Sequence, residues 1–273
     1  MDKESICSQI KKVIYSINVY QNDELVSQGS GVSINENGDI LTAAHVIAGQ
    51  LPVTKKNISN LKIYCKGSKG KFEEYMLVTC GFKLPFDFLK DPITIDLSVL
   101  KKIKQVSNID YLKIDPSLPK VGQNVILTGF SDETYPIFGL EEKIDFDNPI
   151  FGGKLNQKQF GELYYKEIYK SGMVGLSMPI NLTESSSGIK LNAFEVYIDN
   201  GMHSGASGGP IVNSDGYLIA IITQRALSSM STSKHPGLKV PSGSTVGISA
   251  STLLEYTDKQ RLKQGLSVPW YLK

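Results

Sequence analysis

The sequence predicts an all-β protein of the barrel or sandwich kind, and three observations carry that expectation. About a dozen short segments alternate or run apolar with the two-residue period of strands. Turn signals separate them, among them Asn22-Asp23, Asn37-Gly38 and Asn213-Ser214-Asp215-Gly216. Helical patterns are confined to the two ends, at 4–12 and 251–264.

In chain order, 4–12 reads as a short helix and 13–20 as the first alternating strand. Gly29-Ser30-Gly31-Val32-Ser33-Ile34 opens another strand, and Asn37-Gly38 turns it back, because both residues tolerate positive φ. The return strand, 39–42, runs directly into Ala43-Ala44-His45-Val46. Strands follow at 61–65, 75–80 and 94–101, with Asp96 at the mouth of the last. The segment 110–120, with Asp115-Pro116 and Leu118-Pro119, reads as a connector between two halves. Beyond it come strands at 121–130, 170–175 and 193–198. The stretch 131–169 is irregular, a long loop or an added hairpin over a site. After Ile211-Val212 and 217–223, a flexible stretch is expected at 226–244, then a last strand at 246–249 and a helix at 251–264 capped by Ser251 or Thr252. Trp270 is expected to dock the tail on the body.

The chain of 273 residues is long enough for one large domain or two ordinary ones. Its net charge of +2 lacks the basic excess of a nucleic-acid binder. No run approaches 18 apolar residues, so no membrane span is expected. The opening residues show no apolar core before a small-residue cleavage site, so no secretory signal is expected. The three cysteines, Cys7, Cys65 and Cys80, fit neither a disulfide framework nor a metal spacing. They read as reduced, mostly buried thiols, which places the protein in the cytoplasm.

The stretch with most chemistry is Gly205-Ala206-Ser207-Gly208-Gly209-Pro210. Glycines let a backbone bend sharply and approach a ligand closely. A bend whose N–H groups point one way holds developing negative charge. A serine nucleophile needs both, yet glycine and serine are also ordinary turn residues, so a base and an orienting acid must be found elsewhere. His45, one of three histidines, is the candidate base: it follows a strand and two small residues. Asp96 is the candidate acid, since an aspartate entering an apolar strand is costly to bury without a partner. Asp87 and Asp91 compete for that role but have the look of loop turns.

Taken together, Thr42-Ala43-Ala44-His45, Asp96-Leu97-Ser98 and Gly205-Ala206-Ser207-Gly208-Gly209-Pro210 occur in the order His, Asp, Ser. This resembles the trypsin-like (chymotrypsin-fold) serine peptidases, which use that order. Gly29-Ser30-Gly31-Val32, Ile198-Asp199 and Val246-Gly247-Ile248-Ser249-Ala250 are similar to motifs of the HtrA/Deg branch, here without a PDZ domain.

The resemblance implies two packed six-stranded β-barrels with a C-terminal helix and a site in the cleft between them. The first barrel, 1–115, would carry His45 and Asp96, and the second, 116–273, Ser207. It further implies an oxyanion hole from the backbone N–H groups of Gly205 and Ser207, and a specificity pocket with Gly201 at its base and Thr223 on its wall. With no acid at Gly201, the pocket is expected to refuse Lys and Arg and to take small or medium apolar side chains. His203 reads as a surface-loop histidine, the alternative being a place at the pocket mouth. Asp199 either supports the substrate loop or caps a turn. No metal or organic cofactor is required.

Two departures stand out. Ala206 replaces the aspartate of digestive relatives and the asparagine usual in HtrA relatives. No Ile-Val-Gly-Gly start is present to insert as a new N-terminus, so control is expected from loop ordering, through a regulatory protein partner or a homo-oligomer. The leading expectation is an endopeptidase acting on protein or peptide substrates. A catalytically latent binding or scaffold protein and an esterase are the alternatives.

Overall fold

Twelve strands close into two antiparallel six-stranded barrels in a computed structural model of the chain, which describes residues 1–67, 70–84, 89–90, 93–104, 107–131, 143–145, 165–183, 190–230 and 237–254. Barrel one contains β1 (Ile14–Gln21), β2 (Glu24–Ser33), β3 (Ile40–Thr42), β4 (Leu61–Gly67), β5 (Glu73–Leu84) and β6 (Ile93–Lys102), hydrogen-bonded in the order β1-β2-β3-β6-β5-β4. Barrel two contains β7 (Asn124–Phe130), β8 (Glu167–Thr183), β9 (Lys190–Ile198), β10 (Pro210–Asn213), β11 (Leu218–Ser229) and β12 (Lys239–Ser249), in the order β10-β11-β12-β9-β8-β7. Closure leaves neither sheet with an open edge.

The local chemistry explains the first barrel's hairpins. Asn22 and Asp23 both take positive φ in the two-residue turn between β1 and β2. Gly38, at φ 76°, completes the turn before β3. Alternation along β1 sends Ile17 and Val19 inward, and both are fully buried. The first helix, α1 (Lys3–Val13), is capped by Asp2, whose side chain accepts the Ser5 N–H at 2.7 Å. Its buried stripe of Ile6, Ile10 and Val13 joins a core that runs from barrel one to Ile126 and Phe130 on β7. A second cluster, including Val125, Leu127, Val196, Ile198 and Ile219, fills barrel two.

Several expectations change. The chain from 226 to 244 is not loop throughout: β11 continues to Ser229 and β12 starts at Lys239, paired through Leu227↔Pro241 and Ser229↔Lys239. The polar composition misled there because those strand ends are mostly exposed. Asp96 lies inside β6 rather than at its mouth. A short internal helix, α2 (Ala44–Ala48), also appears where only a strand end was expected. A helical turn at 251–254 begins where the C-terminal helix was expected; its continuation, the tail with Trp270, Asp87, Asp91 and most of 131–169 lie outside the described residues. Among the described residues no helix is long and apolar enough to cross a membrane.

All three cysteines are free, and burial pushes the Cys65 and Cys80 thiols up from the ordinary range. Because the thiolate is the nucleophile, both are expected to resist aromatic-disulfide reagents at neutral pH in the folded protein, while all three thiols react after denaturation. Rapid modification of Cys65 in the native state would contradict this packing.

Candidate active site

The histidine is placed by the passage from β3 into α2. Ala43 and Ala44 are fully buried, so the chain packs tightly as it leaves the strand and enters the helix. The start of α2 has no side-chain cap of its own. Instead Asp96 reaches across from β6. The β3–β6 register pairs Thr42 with Ser98, and continuing it brings residue 96 beside the start of α2. One Asp96 oxygen accepts the His45 backbone N–H at 2.9 Å, and the other accepts His45 Nδ1–H at 2.7 Å. A carboxylate oxygen only accepts, so Nδ1 carries a proton, and in the neutral ring Nε2 keeps its lone pair. The side chains are 26% and 13% exposed respectively, so the ring is open to a substrate while its partner is mostly shielded. Cys80 lies beneath, its Sγ–H directed at the Ala44 carbonyl at 3.5 Å. Burial, with a smaller contribution from nearby Asp96, holds that thiol protonated.

The serine lies on the loop before β10. Gly205 and Gly208 both have φ of 84°. At Gly208 a Cβ would fall 2.0 Å from the Ser30 carbonyl oxygen and 2.2 Å from Thr42 Oγ1, so no side chain fits. Ser207 itself is half-buried. Its carbonyl accepts the Ser30 N–H at 2.8 Å, which seats the barrel-two loop directly on β2 of barrel one. Ala206 is fully buried and presses on Gly129, where a Cβ would come 2.5 Å from the Ala206 Cα. That tight packing requires glycine at 129.

Ser30 is the residue that sequence reasoning missed. It is fully buried and uses every polar group it has. Its Oγ donates to the Gly205 carbonyl at 2.9 Å and accepts the Phe130 N–H of β7 at 2.8 Å. Its carbonyl accepts Thr42 Oγ1–H at 2.6 Å. The Gly29-Ser30-Gly31 run was visible in the sequence, but only the fold shows that its serine joins both barrels to the serine loop.

The oxyanion and pocket residues surround this loop. The backbone N–H groups of Gly205 and Ser207 donate to no acceptor among the described residues, while Ala206 N–H reaches the His203 carbonyl at 3.4 Å. The Ser204 carbonyl meets His203 Nδ1 at 3.0 Å. The peptide is planar and trans, so the Gly205 N–H points the other way. His203 is only 6% exposed, which corrects its reading as a surface histidine: the loop folds it inward. Gly201 packs on Gly243, where a Cβ would lie 2.9 Å from the Gly243 carbonyl oxygen. Thr223 is buried and donates to the Val246 carbonyl at 3.3 Å. Asp199 Oδ1 accepts the Met173 N–H at 2.7 Å, which ties this segment to β8. The structure therefore joins His45 to Asp96 directly. It brings the main chain of Ser207 against Gly29-Ser30, with Gly29 backed by Val46, the neighbour of His45. The Ser207 hydroxyl makes no hydrogen bond among the described residues.

Two closed barrels, with a paired histidine on one and a glycine-bracketed serine on a loop seated against it, give the layout of the trypsin-like peptidases. The sequence agrees: residues 29–221 match the trypsin-like peptidase domain, and the chain belongs to that family. No curated protein matches the sequence. Among solved structures, the active form of Rv3671c protease from M. tuberculosis is similar, with 13% identity, a TM-score of 0.56, and coverage of 97% of this chain and 86% of that one. The inactive form of Rv3671c protease is similar at 13% identity and a TM-score of 0.52, covering 93% of this chain and 92% of that one. At this identity the likeness is one of fold.

Ser30→Ala would strand the Phe130 N–H and release the Gly205 carbonyl. Its expected cost is about 1–3 kcal/mol of unfolding free energy, read by denaturant titration. A change within error of zero would show that water replaces the hydroxyl.

Proposed function

We propose that this protein is a serine endopeptidase that hydrolyses peptide bonds in protein substrates through an acyl-enzyme. The observation that carries the reading is the doubly hydrogen-bonded His45–Asp96 pair, at 2.7 and 2.9 Å, on the barrel against which the Ser207 loop is seated. Ser207 Oγ attacks the scissile carbonyl while His45 Nε2, left unprotonated by the Asp96 bond, takes the hydroxyl proton. The backbone N–H groups of Gly205 and Ser207 receive the oxyanion. His45 then protonates the departing amine, and the Ser207 ester is hydrolysed by water along the reverse route. Asp96 fixes the tautomer and stabilises the imidazolium. In this reading 1–115 and 116–273 are the two units of the enzyme, with Gly201 and Thr223 lining the primary specificity pocket. Its three free thiols are consistent with work in the cytoplasm.

One observation favours a second reading. Among the described residues the Ser207 hydroxyl is not hydrogen-bonded to His45, which fits a resting state that a partner protein, a second copy or the substrate itself tightens. In its extreme form this is a catalytically latent binding protein.

Fluorophosphonate labelling of the purified chain decides between them. Labelling that disappears in Ser207→Ala, with casein cleavage lost in parallel, is expected. Asp96→Asn should lower kcat by on the order of 10⁴-fold. A folded wild type that neither labels nor cleaves would overturn the active reading in favour of the latent one.

A further inference from the structure

We propose that Lys170 makes the primary specificity pocket select acidic side chains, so that cleavage follows Glu or Asp. This rests on the reading of Gly201 and Thr223 as pocket residues and replaces the apolar preference expected from the sequence. There, only the absence of an acid at Gly201 was visible; the structure supplies a cation.

Lys170 lies on β8, and its Nζ donates to the carbonyl of Gly201. The segment around Gly201 is held from two sides. On the β8 side, Met173 N–H and Ser171 carbonyl engage Asp199 and Asn200. On the β12 side, Thr245 Oγ1 donates to the Asn200 carbonyl at 2.7 Å and accepts the Met202 N–H at 2.8 Å. The Gly201 carbonyl is thereby fixed, and with it the position of the ammonium. Gly201 contributes no side chain, and its Cα packs directly on Gly243, so no side chain of its own screens the charge. Among the described residues no carboxylate lies within 4.0 Å of Lys170 Nζ.

The adjoining wall adds to the effect. Gly208 N–H and the Gly209 carbonyl are hydrogen-bonded to Ile222 at 2.7 and 2.9 Å, so β11 runs alongside the serine loop as it reaches Thr223. Two residues further on, Arg225 pairs directly with Thr245 across the β11–β12 ladder. Directly opposed residues share a face of the sheet, and Thr245 points its hydroxyl at Asn200 and Met202. Arg225 thereby puts a second, exposed cation on the strand beside the segment that carries Gly201. Asp199, the acid of this segment, is exposed and occupied with the Met173 N–H.

An ammonium has three N–H donors, and the Gly201 bond uses one. The other two suit a carboxylate, and a charge-assisted bond in a partly shielded site is stronger than a neutral one. A lysine or arginine side chain entering the same place would meet like charge. An apolar one would leave the charge desolvated without a partner.

The experiment compares wild type with Lys170→Gln, which keeps an N–H donor for the Gly201 carbonyl and removes the charge. Peptide substrates differ only in Glu, Leu or Lys before the scissile bond. Wild type is expected to cleave after Glu at least 10-fold faster in kcat/KM than after Leu, and Lys170→Gln to lose that ratio. Binding of the Glu and Leu peptides to Ser207→Ala, with and without Lys170→Gln, reads the pocket independently of turnover. There the Glu peptide should bind more tightly, the advantage should shrink with salt, and it should vanish without Lys170. Equal binding of the two peptides, or a Glu preference that survives Lys170→Gln, overturns the inference even if fluorophosphonate labels Ser207. Glu-selective binding in a protein whose Ser207 never labels supports the inference and sinks the peptidase reading.

Discussion

The hydroxyl of Ser30 is the point on which the arrangement of the two barrels turns. It belongs to β2, accepts from Phe130 on β7 and donates to the Gly205 carbonyl, so one buried atom bonds to both barrels and to the serine loop. A buried hydroxyl with both roles filled incurs no desolvation penalty, and either bond lost would leave a buried backbone group unpaired. The site depends on this because His45 and Ser207 lie on different barrels. Their separation is fixed only as well as the barrels are fixed to each other. The close approach has a steric condition too: at Gly29 a Cβ would meet Val46 at 2.7 Å and the Ser207 carbonyl oxygen at 3.0 Å. Small residues on both sides of the seam let backbone hydrogen bonds form there, beside the apolar core that the barrels share through Ile126 and Phe130.

Asp96 illustrates how one group serves fold and chemistry together. A five-residue helix is too short to be stable by itself, and the N-cap of α2, Ala43, has no side chain to cap it. The Asp96 carboxylate takes on that duty through the His45 N–H and holds the imidazole with its second oxygen. The ring is thus oriented relative to its own backbone as well as to the acid. A residue that only capped the helix, or only touched the ring, would leave one torsion of the histidine free. That economy also accounts for an acid inside β6: both its oxygens are satisfied, which makes its burial tolerable.

The barrels were legible because strand periodicity and turn chemistry are local. Asn22-Asp23 and Asn37-Gly38 announce their turns in two residues each. The pairing of His45 with Asp96 was expected from residue type and strand context, with Asp87 and Asp91 as competitors, and from the chain order of the family the sequence resembles. What escaped were contacts made between distant segments by unremarkable residues. Nothing in Gly29-Ser30-Gly31 says that its hydroxyl meets residues 130 and 205. Nothing near Lys170 says that its ammonium ends on Gly201, 31 residues away. His203 was misread for a related reason: a histidine among glycines and serines suggests a surface loop, but this loop turns inward against β12 through Met202 and Thr245. The ends of β11 and β12 were hidden by composition, since exposed strands pairing only with each other need no apolar alternation.

Ala206 bears on the same joint. In digestive relatives the residue before the nucleophile carries a carboxylate, and a buried ion pair orders the loop around it. A methyl group supports no such pair, and this one is fully buried against Gly129. The order of the loop then rests largely on neutral contacts, Ser30 on the Gly205 carbonyl, Ile222 on Gly208 and Gly209, and Thr245 on Asn200 and Met202, beside the Lys170 ammonium on the Gly201 carbonyl. Neutral hydrogen bonds are individually modest in net stability, and the one from Ser30 spans the seam between the barrels. A loop held in this way is more sensitive to small shifts of one barrel against the other than a loop held by a buried charge pair. Any ligand that favours the tightened seam over the relaxed one would shift the balance towards an ordered Ser207, by no more than its differential affinity for the two states.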